Sequence, residues 1–155
     1  MNYYDEISES YESLHKEEQL KKLKIIKNLI KVKKNDKLLD VGCGSGFSSS
    51  WNCKVYGIDP SIKLLKKAKN NVIKAKAEHL PFKDNFFDIV ISVTALQNFT
   101  NIECALKEIK RVGKKTFILT FLKKSPKKDK ISSLIKKHFK ILKTIEEKKD
   151  LIYII

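Results

Sequence analysis

Three of the five glycines in the chain stand on alternate positions behind an acid, in the pattern Asp40-x-Gly42-x-Gly44-x-Gly46. Glycine lets the backbone turn sharply, and a ligand can lie directly against it because no Cβ intervenes. A second acid, Asp59, ends the next apolar segment, "KVYGID". A carboxylate at the end of a strand can accept hydrogen bonds from both hydroxyls of a ribose. The loop and the acid together predict a ligand that contains a nucleoside.

The spacing of the glycines excludes two common phosphate-binding loops. In the dinucleotide fingerprint G-x-G-x-x-G, the third glycine stands three residues after the second. Here Gly46 stands two residues after Gly44, so the loop does not fit a nicotinamide-dependent oxidoreductase. The phosphate loop G-x-x-x-x-G-K-[ST] is absent from the sequence. The nucleoside is therefore not expected to carry a pyrophosphate held by this loop.

Short apolar segments alternate with amphipathic segments along the chain, which favours a parallel sheet with helical crossovers. The segment "DIVISV" is apolar on both faces and is expected at the centre of the sheet. The last two strands lie close together in sequence and predict a hairpin across "EEKKD". We expect an α/β fold with a seven-stranded, mostly parallel sheet, helices on both faces and an antiparallel last strand. The predicted strands cover residues 37–41, 54–58, 71–77, 88–93, 116–122, 139–144 and 151–155.

Four amphipathic stretches predict helices. The first covers residues 13–31, where apolar residues recur at steps of three and four. The second begins at "DPS", and the third begins with a capping-box pattern at Thr100 and is expected to end at Gly113. Pro126 is expected to begin the fourth, where His138 is interpreted as a structural residue rather than a catalyst.

The charge of the chain, +15, admits two interpretations. A basic surface can serve an acidic or RNA partner. Arg111 is the only arginine, however, and the other basic residues are lysines spread over every segment. Bidentate reading of guanine or phosphate favours arginine, and a lysine-rich composition is also typical of a hot habitat or a biased genome. Both interpretations stay open at this point.

The cysteines indicate a reducing compartment. Cys43, Cys53 and Cys104 are odd in number and share no C-x-x-C spacing, so neither a disulfide framework nor a metal site is predicted. The sequence also contains no run of about 18 apolar residues, so no membrane span is expected. The predicted location is therefore cytoplasmic.

Three segments, "LLDVGCGSG", "VYGIDPS" and "AEHLPFKDNFFDIVISVTALQNF", resemble class I S-adenosylmethionine-dependent methyltransferases. They are similar in particular to the methyltransferase type 11 (UbiE-like) group. The resemblance runs from about Tyr4 to Phe121. It implies a Rossmann-like fold, S-adenosyl-L-methionine as cofactor, and transfer of a methyl group to an acceptor that the motifs do not identify. It also implies one domain over residues 1–155, with 1–35 as an N-terminal helix and lid and 36–155 as the cofactor-binding core.

The resemblance assigns roles in cofactor binding to specific residues. The glycine loop is expected to wrap the methionine part, the acid after the second strand to hold the ribose, and the segment after the third strand to surround the adenine. Lys76 departs from the pattern, because many relatives have an acid there that contacts the adenine amine. The implied cofactor-binding residues are Asp40, Gly42, Cys43, Gly44, Gly46, Asp59, Pro60, Ala77, Glu78 and Ser92.

The acceptor is expected beside the segment "SVTALQNF", where relatives carry either a Pro-Pro-aromatic motif or a histidine. This chain instead has Gln97 and Asn98, which can orient a substrate by hydrogen bonds but cannot act as bases. Tyr4 and Tyr11 match the lid of relatives, or they are simply packing residues of a helix. His15, close to the same lid, is a further candidate. No residue is assigned as the catalytic base.

The lack of a base and of pocket-building insertions leaves two hypotheses for the acceptor side. A large acceptor such as RNA or protein can bring its own surface, or an activating protein subunit can complete the site. The main prediction is a methyltransferase whose acceptor is a small molecule, RNA or protein. The alternative is a methyltransferase-like binding subunit that supports a catalytic partner or binds RNA.

Overall fold

The computed structural model describes residues 3–43, 51–66 and 71–155, and for residues 3–12, His15 and Leu64 it describes the main chain only. The chain forms two compact units, Met1–Lys31 and Val32–Ile155. The first contains one long helix, α1 (Tyr3–Lys27). This helix begins ten residues before the predicted one, so it takes in the segment "YYDEISESY". Within the described residues, no helix is long and apolar enough to cross a membrane.

The second unit is built on one seven-stranded sheet, as predicted. Its strand order is β3-β2-β1-β4-β5-β7-β6. All neighbouring pairs are parallel from β3 to β5, and β7 runs antiparallel to both β5 and β6. The strands are β1 (Lys37–Val41), β2 (Lys54–Asp59), β3 (Asn71–Lys74), β4 (Phe87–Ser92), β5 (Gly113–Leu122), β6 (Lys143–Glu146) and β7 (Asp150–Ile154).

The strand order reverses after β1, and this reversal divides the helices between the two faces of the sheet. Crossovers between parallel strands are right-handed, so those running towards β3 and those running towards β6 lie on opposite faces. The first kind contains α2 (Ile62–Leu65), and the second kind contains α3 (Ile102–Val112) and α4 (Lys128–His138). Glu103 of α3 lies 2.8 Å from Nε2 of His138 of α4, as expected for two helices on one face. His138 is thus a half-buried contact between helices.

β1 has the predicted bounds, the ends of β2, β4 and β7 differ by one residue at most, and β3, β5 and β6 differ by three residues or more at one end. β3 ends at Lys74 rather than at residue 77, because its partner β2 ends at Asp59, the residue paired with Lys74. β6 begins at Lys143 rather than at residue 139. Phe139 remains at the end of α4, where its N–H donates to the carbonyl of Ile135 and its ring packs 5.2 Å from that of Phe117.

The helix ends also differ from the sequence prediction. Asn101, rather than Thr100, caps α3, since its side-chain oxygen accepts a hydrogen bond from the N–H of Cys104 at 3.1 Å. Gly113 follows α3 in an extended conformation and starts β5. A Cβ there would lie 2.4 Å from the ring of Phe117, so glycine is required for close packing and not for a left-handed helix end. α4 begins two residues after Pro126.

The hydrophobic core of this unit lies between the central strands and the helices. Strands β1 and β4 are almost continuously apolar and buried, as expected for the middle of a parallel sheet. The apolar face of α3 is fully buried, with its residues at helical spacing. The buried residues of that face are Ile102, Ala105, Leu106, Ile109 and Val112.

Arg111 fixes the loop that joins β3 to β4. Its guanidinium donates to the carbonyls of Leu80 and Phe82 at 3.0 and 2.8 Å and to the carboxylates of Asp84 and Glu108 at 2.7–2.9 Å. These bonds need a planar group with several fixed donors, which lysine cannot supply. The only arginine in the chain therefore stands where its geometry is used.

We expect Arg111→Lys to lower the free energy of unfolding by about 1–3 kcal/mol, because several charge-assisted hydrogen bonds to the loop are lost while the charge is kept. Chemical denaturation measures this change. Lys110→Arg, on the exposed side of the same helix, is the control and should be neutral. Equal effects of the two substitutions would contradict the role of the guanidinium.

Candidate functional site

The candidate site lies at the carboxyl ends of β1, β2 and β4. The order of the sheet reverses between β1 and β4, and the chain leaves these two strands towards opposite sides. Such a reversal opens a crevice beyond the strand ends, where ligands of open α/β sheets bind. The acid of β1, the acid of β2 and the segment after β4 all come to this edge.

Gly42 turns the chain at the end of β1. Its φ is +80°, in the left-handed region that favours glycine. The N–H groups of Gly42 and Cys43 both donate to the carbonyl of Ile58, at 2.8 and 2.9 Å, which fastens the loop to the end of β2. A Cβ on Gly42 would lie only 2.8 Å from Cβ of Ala95. The loop and the segment after β4 therefore touch at a place where only glycine fits.

Two acids, Asp40 and Asp59, are buried at adjacent strand ends. Oδ1 of Asp59 accepts a hydrogen bond from the N–H of Ser61 at 2.8 Å, which turns the chain into α2. Burial, together with the charge of Asp59, raises the pKa of Asp40 to about 8. Asp40 therefore holds its proton at neutral pH, and a ligand with positive charge bound beside it would favour the ionised form.

Cys43 is a packing residue of the loop. Its side chain is buried and lies over Gly57 of β2, where a Cβ would come within 2.6 Å of Sγ. Burial, followed by the charges of Asp40 and Asp59, raises the pKa of the Cys43 thiol well above its usual range. The thiol is therefore neutral and is a poor nucleophile.

The other residues predicted to bind the cofactor differ in their exposure to solvent. Ala77 is buried in the core, and Pro60 is exposed. Glu78 is half-buried, and its Oε1 accepts a hydrogen bond from the N–H of Asn101 at 3.1 Å. Ser92 is fully buried, and its hydroxyl donates to the carbonyl of Val41 at 3.0 Å. Ser92 thus ties the end of β4 to the end of β1.

The segment after β4 forms a short 3-10 helix, Leu96–Asn98. Leu96 is fully buried in the core, whereas Asn98 is exposed. The amide nitrogen of Gln97 donates to the carbonyl of Thr94 at 3.0 Å, so this side chain stabilises its own turn. Gln97 and Asn98 are the two residues predicted to orient the methyl acceptor, and Asn98 is the more accessible of the two.

A buried polar network that the sequence did not predict supports this segment. Oδ2 of Asp150, at the start of β7, accepts hydrogen bonds from the hydroxyls of Thr94 and Thr120 at 2.6 and 2.8 Å. The hydroxyl oxygen of Thr120 in turn accepts from the N–H of Thr94 at 2.8 Å. Thr94 has a φ of +53°, a conformation that is costly for a β-branched residue. The network therefore holds Thr94 in the turn that leads to Gln97.

For the remaining predicted residues, the positions of the side chains are not described. Gly44 and Gly46 lie outside the described residues. Tyr4, Tyr11 and His15 lie on α1, for which only the main chain is described at these positions. The structure thus brings together Asp40, Gly42, Cys43, Asp59, Ser92 and Gln97 at one edge of the sheet.

We expect Asp40→Asn to stabilise the protein relative to wild type, and to do so increasingly as the pH rises from 4 to 8. The folded protein keeps Asp40 protonated up to about pH 8, whereas the unfolded chain loses that proton near pH 4. The contribution of Asp40 to stability is therefore complete below pH 4 and is lost as the pH approaches 8. Melting temperatures of both proteins between pH 5 and 8.5 measure the difference, and a difference that does not change with pH would contradict the assignment.

We expect Asp150→Ala to lower the free energy of unfolding by about 2–4 kcal/mol, because the buried hydroxyl of Thr120 and the half-buried hydroxyl of Thr94 lose their acceptor. Thr94→Gly should reduce this loss when the two substitutions are combined, since glycine adopts a positive φ without support. A double-mutant cycle by urea denaturation measures the coupling. Additive effects would show that the network does not hold the turn.

Similar proteins of known sequence include an uncharacterized protein of Methanocaldococcus jannaschii, MJ1252. It is 35% identical over 95% of this chain and 61% of its own length. The ubiquinone/menaquinone biosynthesis C-methyltransferase UbiE of Chromobacterium violaceum is 34% identical over 59% of this chain and 46% of its own length. The chain therefore spans about half the length of the curated relatives it matches.

Two solved structures are similar in fold. A SAM-dependent methyltransferase from Aquifex aeolicus has a TM-score of 0.67 at 20% identity, over 90% of this chain and 87% of that chain. One chain in the structure of a complex between the Haloferax volcanii Trm112 methyltransferase activator and a methyltransferase matches with a TM-score of 0.54 at 25% identity. That match covers 58% of this chain and 46% of the other.

The family model of the methyltransferase domain matches residues 39–121, more than half of the chain. The matched region runs from β1 to β5 and contains the glycine turn, both buried acids and the segment after β4. The predicted fold and the predicted family are thus confirmed. The chain belongs to the methyltransferase domain family, whose cofactor is S-adenosylmethionine.

Proposed function

We propose that the chain is an S-adenosylmethionine-dependent methyltransferase that binds its cofactor at the carboxyl ends of β1 and β2. The observation that carries this proposal is the pair of buried acids, Asp40 and Asp59, beside the left-handed turn at Gly42. When bound, the cofactor supplies a methyl group that is already activated by a positively charged sulfur. The residues described below account for its binding and for the placement of the acceptor.

The chemistry of the cofactor fits these residues. Its methionine part carries an ammonium group and the sulfonium, and its ribose carries two hydroxyls that can donate to a carboxylate. Asp59 at the end of β2 accepts the hydrogen bonds from the ribose hydroxyls. The backbone at Gly42 and Cys43 lies alongside the methionine part. A cationic ligand favours ionised Asp40, so cofactor binding and loss of the proton from Asp40 favour each other.

The segment after β4 is proposed to place the methyl acceptor. Ser92 and Thr94 anchor this segment to neighbouring strands, and it touches the glycine turn through Ala95. A substrate lying against the exposed Asn98 is therefore held close to the cofactor site. For a methyl group that is already activated, alignment and exclusion of water supply most of the catalysis.

A second candidate function is a methyltransferase whose site an activating protein subunit completes. The Haloferax volcanii chain of similar fold is in a complex with a methyltransferase activator, which supports this reading. Methyl transfer from labelled cofactor into RNA, protein or small-molecule fractions separates the two functions. Incorporation by the isolated chain supports an enzyme that acts alone, and incorporation only after a purified activator homologue is added supports a catalytic chain that an activator completes.

We expect Asp59→Asn to weaken S-adenosylmethionine binding about 10- to 100-fold, since hydrogen bonds to a charged acceptor contribute about 1.5–3 kcal/mol. Asparagine keeps an oxygen for the N–H of Ser61, so the fold should persist. Isothermal titration measures the affinity, and Asp36→Asn, just before β1 at the opposite end of the sheet, is the control. Absence of cofactor binding by the wild type would overturn the proposed function.

A further inference from the structure

Lysines gather at the sheet edge that carries the candidate site. β5 ends at Leu122, which pairs with Asp150 at the start of β7, so the segments next to both residues lie at the carboxyl edge. The N–H of Lys123 donates to the carbonyl of Lys149 at 2.9 Å and joins the two segments. We call the exposed lysines of this region the edge lysines: Lys124, Lys127, Lys128, Lys148 and Lys149.

The edge lysines adjoin the segment where the acceptor is expected. The ammonium group of Lys127 donates to the carbonyl of Gln97 at 3.2 Å. Asp150, which follows Lys149 directly, holds Thr94 at the start of the same segment. A large anionic acceptor bound to these lysines would therefore extend over Asn98.

Acids are fewer than lysines in these two segments. "KKSPKKDK", residues 123–130, contains five lysines and one aspartate, and the turn before β7 reads "EKK". Lys123 forms an ion pair with Glu146 at 3.2 Å. Oε2 of Glu147 accepts hydrogen bonds from the N–H groups of Lys149 and Asp150, so it stabilises the turn.

Two of the edge lysines stand where they cost stability. Lys127 is the N-cap of α4 and Lys128 is its first residue, and the cap has no side-chain hydrogen bond. The positive end of the helix dipole disfavours cations, and an ammonium group cannot accept a bond from the helix N–H groups. Asp129 offsets part of this cost. In contrast, α3 begins with Asn101 as a bonded cap and an acid in the first turn.

We propose that the edge lysines bind the phosphate backbone of a nucleic acid and present it to the segment after β4 as the methyl acceptor. This inference rests on the proposed methyltransferase function. Lysine binds phosphate as a point charge, whatever the base sequence, whereas reading of base edges favours arginine. The edge lysines would therefore bind the backbone rather than read the bases. The cost of Lys127 and Lys128 to α4 is then the consequence of a binding role.

Binding of a fluorescein-labelled 20-nucleotide single-stranded RNA, followed by fluorescence anisotropy between 50 and 300 mM salt, tests this inference. We expect Lys127→Gln/Lys128→Gln to weaken binding at least about tenfold at 100 mM salt and to reduce the salt dependence. Its melting temperature should stay close to that of the wild type, because two cations leave the positive end of α4 while the hydrogen bond from Lys127 to the carbonyl of Gln97 is lost. Lys114→Gln/Lys115→Gln removes the same charge from the other end of β5 and should change binding less than threefold.

Parallel titrations with S-adenosylmethionine separate this inference from the proposed function. If the wild type binds the cofactor but not the RNA, the inference is overturned and the proposed function stays intact. The same holds if the two double variants lose RNA affinity equally. If polyglutamate displaces the labelled RNA at lower concentrations than unlabelled RNA does, the inference is overturned and the edge lysines bind an acidic protein instead. A single-stranded DNA of the same sequence that binds as tightly as the RNA supports it and extends the acceptor to DNA.

Discussion

The carbonyl of Ile58 accepts two hydrogen bonds, from the N–H groups of Gly42 and Cys43, and the candidate site depends on this contact. It fastens the turn after β1 to the end of β2, so that Asp40 and Asp59 lie at one place. The left-handed turn at Gly42 then brings the backbone against Ala95, with no space for a Cβ. The ends of β1, β2 and β4 therefore form one packed unit, in which a shift of one segment displaces the others.

Several features of this edge reduce the stability of the protein without a ligand. A buried carboxyl with a raised pKa at Asp40, a threonine with positive φ at Thr94 and two lysines at the start of α4 each oppose a local rule of folding. Local rules are broken mainly where function requires it. On the opposite edge, by contrast, Asp88 accepts the N–H of Lys37 and pairs with Lys114. These three departures lie where a cationic cofactor and an anionic acceptor are proposed to meet.

The sequence predicted those parts of the fold that depend on local pattern. β1 was predicted with its observed bounds, and β2 within one residue, because an apolar run ends there at a conspicuous loop or acid. Cap positions were less accurate, since Thr100 and Asn101 are adjacent and both can cap a helix. The role of Asp150 could not be predicted. It follows a lysine-rich turn in the sequence, and only the pairing of β7 with β5 brings it beneath Thr94.

The side chains after β4 limit what the acceptor can be. The segment "SVTALQNF" has no group that takes up a proton at neutral pH, and the amide of Gln97 is engaged with Thr94. A general base is needed only if the acceptor must lose a proton before or during attack. An acceptor atom with a free lone pair at neutral pH, such as a ring nitrogen of a nucleobase, can attack without one. A nucleic acid held by the edge lysines, as proposed, would offer ring nitrogens of this kind beside the segment after β4.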